Sequence, residues 1–560
     1  MREFKLSFAN SKKLNYPSFL NLLKNNLSLL FILLLYIFTM VSVISWGTPS
    51  IAHPFNYQMD EWHSMQSVRA LFKYGTSNVA GAALGPVFHY LLTGILLVPF
   101  VLLKIIYPFG IHSSIDMLAM QQKLFIILRL NTIFFGVLSF INLTYIAKKY
   151  FKLKNYLLVC IFILSTPVWL VYSNYYIYNI ALVFWISLTL VLLFEYLNKS
   201  TKKILILASI STAFACGTKI SALALLPLLF LVILMPKASM KIKIYKLLSS
   251  TVVFLITFLI FGTPDIFTHF SSYKNYLLLN ISYGPSQDKN YILPYSNTWE
   301  YLLFTIFPLN LGYILYILYF LTIIYTLKQL IYGYKNKHLA QLKYEQVLLF
   351  GLFFFFLSLC TLGLGANGNR LLVLLPFLSL LTALFLNELY LKIKYKKAFV
   401  IVIILLLLIQ FAQSYLNVFA KWNSDPRQLS SAWIQSNLPK GTVIGIENIP
   451  IYQMLPDVVE KEFYQNLYNR TQKNKYHYEV IDSKSKNIPK FVIITNREVN
   501  LYYRKVSDSK DLIIRLEKSH YKIVKEFKPS KLLYFIYKNE LNFLLSGIVQ
   551  TPTITFYKKY

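Results

Sequence analysis

The sequence predicts a polytopic α-helical membrane protein with a C-terminal α/β domain outside the membrane. Three observations carry that expectation. Of 560 residues, 56% are hydrophobic and only 14% charged, far more apolar surface than a soluble core needs. Runs such as "LSLLFILLLYIFTMVSVISW" and "FVIVIILLLLIQFAQSYLNVF" reach the ~20 residues that cross a bilayer. Lys and Arg gather in short loops that alternate with loops poor in both.

About twelve apolar segments are legible. They lie near 27–47, 86–108, 123–147, 155–172, 177–198, 203–217, 220–236, 246–263, 301–327, 346–364, 371–391 and 398–420. A polar leader, 1–26, precedes the first, and no small-residue cleavage site follows, which reads as an uncleaved anchor. The basic loops are the leader, "KKYFKLKN", "NKSTKK", "PKASMKIKIYK", "KQLIYGYKNKHLAQLK" and "KIKYKK". If all of these are cytoplasmic, an even number of crossings separates the leader from "KKYFKLKN", although three apolar segments lie between them. The segment that fails to cross is 86–108, which starts at Pro86 and contains His89, Pro99 and Lys104. It is expected as a re-entrant or juxtamembrane helix on the outer face, leaving about eleven transmembrane helices.

This places an outer loop at 48–122 and everything from 421 to 560 outside the cytoplasm; 27–420 is the membrane module. In the tail, "TVIGIEN", "KFVIIT", "YKIVKEF", "KLLYFIYK" and "TITFYKK" read as strands, "PRQLSSAWIQSN" and "KDLIIRLEKSHYK" as helices. The net charge of +33 sets topology and meets anionic lipid; it does not mark a nucleic-acid binder. Cys160, Cys216 and Cys360 all lie in apolar runs, with no disulfide framework or metal-ligand spacing.

Chemistry concentrates on the outer side. "NYQMDEWHSMQSVRALFKYG" places Asp60 next to Glu61 just after the first span. Acids there cap a helix and favour its dipole by about 0.3–1 kcal/mol. Three isolated cations, Arg129, Lys219 and Arg370, stand at outer ends of apolar runs, where snorkelling is the ordinary explanation. Cations facing an acid pair suggest a second role, holding a phosphate beside a carboxylate base. The long outer loop 264–298 adds Asp265 and His269. No P-loop or dinucleotide fingerprint is present, so no nucleotide cofactor is implied.

The order of "MDEWHSMQSVRALFKYG", "GPVFHYLL", "STPVWLVYSNYYIYNIALVFWISL", "ACGTKISALALLPLL", "GNRLLVLLPFLSLLTALF" and "DPRQLSSAWIQSNLPKGTVIGIEN" resembles the GT-C fold membrane glycosyltransferases. Within them it is similar to bacterial relatives of protein O-mannosyltransferases and aminoarabinose transferases. The resemblance implies transfer of a sugar from a polyprenyl-phosphate donor to a lipid, glycan or protein acceptor, on the outer face of the plasma membrane. It implies Asp60 as catalytic base with Glu61 supporting it, and Lys219, Arg370 and Arg129 on the donor phosphate. His89, Asn179, Asp265 and His269 become candidate substrate contacts. The chain departs from the family at Asn179, where an acid is usual, and at "LGP" before the 86–108 helix. The first departure weakens the case for a metal; the sequence requires no cofactor and leaves a divalent metal open. A flippase, or a polysaccharide polymerase or ligase, is the alternative; internal repeats and charges within broken spans would favour a transporter.

Overall fold

The computed structural model describes residues 27–50, 53, 56–75, 87–107, 115–268, 270–271, 274–275, 278, 298–335, 343–361, 368–423, 425–447, 455–459, 476–495, 509–529 and 551–560. The chain is a polytopic helical membrane protein. Among the described residues, seven helices are long and apolar enough to span a bilayer: Gln121–Lys149, Tyr178–Lys199, Met240–Gly262, Tyr313–Tyr334, Lys343–Cys360, Gly368–Lys392 and Lys396–Phe419. Tyr178–Lys199 and Gly368–Lys392 are mostly buried and form the centre of the bundle. Lys396–Phe419 is peripheral and turns Ile401, Leu405 and Leu408 outward, the surface a hydrocarbon solvent requires.

Three segments differ from the simplest hydropathy expectation. The first helix ends at Val41, and turns carry the chain through residue 47. The 155–172 segment breaks into Leu158–Leu164 and Pro167–Tyr172, because Pro167 has no N–H to continue the first helix. The buried carbonyl of Ser165 at that break accepts from Gln410 Nε2 at 2.8 Å and Ser414 Oγ at 2.5 Å. This is how irregular backbone survives in a packed membrane core. The helix within 86–108 runs only from Phe88 to Leu102, 15 residues. At 1.5 Å per residue it is about 22 Å long, short of a ~30 Å hydrocarbon core. Its start is tied by Val87 N–H to the Gly262 carbonyl at 3.0 Å. Gly262 also meets Gly217 so closely that a Cβ on Gly217 would lie 2.6 Å from the Gly262 Cα. Only glycine fits, and that approach fixes the chain just before Lys219.

Among the described residues the tail carries a five-stranded sheet: β1 Val443–Glu447, β2 His477–Ile481, β3 Phe491–Thr495, β4 Tyr521–Phe527 and β5 Ile554–Lys559, in the order β2-β1-β3-β5-β4. β1 pairs in parallel with β2 and β3; β5 is antiparallel to β3 and β4. Strand alternation sorts the side chains. Ile444, Ile446, Ile493 and Phe556 pack with Ile434 of the Pro426–Asn437 helix. Val492, Ile494 and Tyr557 pack with Leu512 and Leu516 of the Ser509–Lys518 helix. "KLLYFIYK" lies outside the described residues. β2, "HYEVI", had no clear signal in the sequence; its middle is largely exposed at the sheet edge.

Candidate active site

The acid pair opens the Met59–Tyr74 helix. Gln58 is its N-cap in extended backbone, and its side-chain oxygen accepts from Glu61 N–H at 3.0 Å. Gly75, at φ 69°, closes the helix by returning its N–H to the Leu71 carbonyl, a left-handed turn that favours glycine. Consecutive residues on a helix point about 100° apart. Asp60 and Glu61 therefore separate: Asp60 is exposed, whereas Glu61 is fully buried.

Glu61 is saturated with donors. Arg129 engages it with both arms, Nε to Oε1 and Nη2 to Oε2, each at 2.7 Å. The Tyr176 N–H reaches Oε1 at 2.8 Å, and Asn56 Nδ2 reaches Oε2 at 3.1 Å. Arg129 spends its remaining arm on the carbonyls of Ile44 and Trp46, at 2.6 and 2.7 Å, which end the turn after the first helix. Both side chains have no solvent exposure. This bears on two expectations, Arg129 on the donor phosphate and Glu61 in support of Asp60. Arg129 is not placed to hold a donor phosphate, because its fork is committed to Glu61 and to backbone. Glu61 is paired with Arg129 and has both oxygens occupied by donors. It holds the first turn of the helix that carries Asp60.

The other two cations converge elsewhere. The Lys202–Thr218 helix stops at Lys219, whose backbone is extended (φ −158°, ψ 130°) before a 3₁₀ turn, Ile220–Ala224. That break turns Lys219 toward the start of the Tyr178–Lys199 helix. Lys219 Nζ donates to Asn179 Oδ1 at 2.9 Å and lies 5.2 Å from the centre of the Tyr178 ring. Burial pushes the ammonium down to about 7; the Arg370 charge adds to this and the Asp60 carboxylate opposes it. Arg370 is half-buried on the 3₁₀ helix Gly368–Leu374. Tyr178 is within electrostatic reach of both Asp60 and Arg370. Asp60, Tyr178, Asn179, Lys219 and Arg370 thus form one cluster drawn from four separate parts of the chain.

His89 is buried, with no hydrogen-bond partner on either nitrogen among the described residues, and its ring centre is 5.3 Å from that of Tyr176. It borders the Glu61 knot through Tyr176. Asp265 begins a short helix, Asp265–Thr268; His269 lies outside the described residues.

Sequence reasoning missed Lys421 and Arg427. Lys421 Nζ stands 4.5 Å from the Tyr175 ring centre and 4.9 Å from that of Trp46. Burial lowers it to about 7, helped by Arg129 and opposed by Glu61. Arg427 pairs with Asp425 through both oxygens, at 2.7 and 2.8 Å, and lies 3.2 Å over the Tyr57 ring. The Tyr57 hydroxyl in turn donates to Asp457 at 2.9 Å. These contacts bind the chain before Asp60 to the tail.

Residues 55–274 match the family model described as dolichyl-phosphate-mannose-protein mannosyltransferase. No curated protein matches the chain. Among solved structures, ArnT from Cupriavidus metallidurans, bound to undecaprenyl phosphate and in the apo state, aligns over 93% of this chain and 97% of its own, at 12% identity and a TM-score of 0.45. The chain resembles the GT-C fold membrane glycosyltransferases, and the family match contains the acid pair, Asn179 and Lys219.

Proposed function

We propose that this chain, in its resemblance to the GT-C enzymes, is a multi-pass glycosyltransferase that moves a sugar from a polyprenyl-phosphate-linked donor to a lipid, glycan or protein acceptor of the cell envelope. The observation that carries it is the division of the acid pair. One carboxylate is sealed in a buried ion pair; the other is exposed beside Lys219 and Arg370.

The cluster supplies what the transfer needs. Asp60 accepts the proton of the acceptor hydroxyl as its oxygen bonds to the sugar's anomeric carbon. The bond from that carbon to the phosphate oxygen breaks, and its electron pair leaves with the lipid phosphate. Lys219 and Arg370 stabilise the charge that gathers there. A phosphate leaves without protonation, so no general acid is called for. Attack opposite the leaving group inverts the anomeric centre. The mechanism uses no cofactor, and chelation with EDTA tests for a divalent metal.

The site belongs to the outer face of the plasma membrane, with the N-terminus cytoplasmic and 421–560 forming an extracytoplasmic domain. The supports are the alternation of basic loops and the sheet that follows the last span. Purified protein supplied with a labelled polyprenyl-phosphate sugar and envelope acceptors should release polyprenyl phosphate. Movement of the intact donor across vesicles without release would favour a transporter.

A further inference from the structure

The Lys219 ammonium carries only donors, so the Asn179 atom facing it at 2.9 Å must be the carbonyl oxygen. This fixes the orientation of the amide. Its Nδ2 is then left with no hydrogen-bond partner among the described residues, on a side chain only 2% exposed. A buried donor is costly to leave unmet. Asn179 is the second residue of the Tyr178–Lys199 helix, whose N-cap, Ile177, is extended (φ −134°, ψ 139°) and offers no side chain to the first N–H groups. The positive end of a 22-residue helix, an unmet amide donor and two cations therefore meet at one place. Among the described residues no carboxylate forms an ion pair with Lys219, and the Asp60 carboxylate is within electrostatic reach of it.

We infer that Asn179 is a donor-binding residue: its carbonyl oxygen holds Lys219, and its amide, with the start of the Tyr178–Lys199 helix, hydrogen-bonds the phosphate of the lipid-linked sugar. This rests on the Lys219–Arg370 cluster being the donor site. A carboxylate at 179 would pair with Lys219 but repel the phosphate, whereas the amide pairs and donates at once.

The test is binding of undecaprenyl phosphate and of undecaprenol to the purified full-length chain in detergent. Wild type should bind the phosphate more tightly than the alcohol; equal binding would overturn the donor-site reading itself. Given discrimination by wild type, Asn179→Asp should weaken phosphate binding roughly tenfold or more while alcohol binding stays unchanged. If Asn179 only orients Lys219, the aspartate does that at least as well, and phosphate affinity within twofold of wild type would overturn the inference. A second comparison avoids a buried charge. In a Lys219→Met background the carbonyl has no ammonium to hold, so adding Asn179→Ala reads the amide alone. A further loss of roughly threefold or more supports the inference, and no further loss overturns it.

Discussion

Replacing Arg129 with methionine separates a structural cation from a phosphate-binding one. Glu61 and Arg129 are both wholly buried, and the guanidinium supplies two of the four donors on the carboxylate. Arg129→Met leaves Glu61 with the Tyr176 N–H and Asn56, and leaves the Ile44 and Trp46 carbonyls without their donor. Stranding one partner of such a pair costs about 3–5 kcal/mol. The double variant Glu61→Gln/Arg129→Met strands no charge and should recover about 1–3 kcal/mol of that loss. Thermal melting of purified protein in detergent measures the cycle. An Arg129→Met protein that melts like wild type but binds polyprenyl phosphate poorly would return Arg129 to the donor site.

Three further outcomes follow from the same geometry. Lys219 is lowered to about 7 among Arg370, Asp60, Asn179 and Tyr178, so above that pH the free site loses its ammonium and phosphate binding must take up a proton. Affinity for polyprenyl phosphate should therefore fall as pH rises above 7, by up to about tenfold per pH unit, and Lys219→Met should flatten the profile in a binding titration. Burial raises Asp457 to about 6 against the opposing Arg427 charge and Tyr57 hydroxyl, so the folded chain holds that proton more tightly than the unfolded chain. Its contribution to stability grows as pH falls through 6 and is lost as pH rises through it; melting scans should show this slope in wild type and its absence in Asp457→Asn. Finally, a reporter fused after Lys421 should be active outside the cytoplasm, and cytoplasmic activity would mean that 86–108 crosses the membrane.

Asp60, Lys219 and Arg370 were legible in the sequence because an isolated charge beside an apolar run is expensive and seldom idle. What the sequence could not convey was which cation served which acid. Arg129 and Lys219 look alike as single charges in apolar surroundings. They differ in the partners that folding brings: a carboxylate for the planar fork of Arg129, an amide for the point charge of Lys219. The division of Asp60 from Glu61 is hidden for the same reason, since neighbours in sequence lie on different sides of a helix and only packing says which side is sealed. Hydropathy found the apolar segments but not the break at Ser165, whose carbonyl is satisfied by residues some 250 positions away. β1 and β3 were visible as apolar runs, while β2 is mixed and mostly polar on its open side.

Turnover of Asp60→Asn bears most directly on the division of the acid pair. Asp60 lies in the first turn, after the Gln58 cap, and is exposed, so losing its charge there costs only about 0.3–1 kcal/mol and expression and melting should be close to wild type. With the basic oxygen gone, release of polyprenyl phosphate from a labelled donor in the presence of acceptor should fall roughly a hundredfold to ten-thousandfold, with donor binding retained. Near-normal turnover by a well-folded Asp60→Asn protein would contradict the assignment and leave Asp60 an acid in the first turn of its helix.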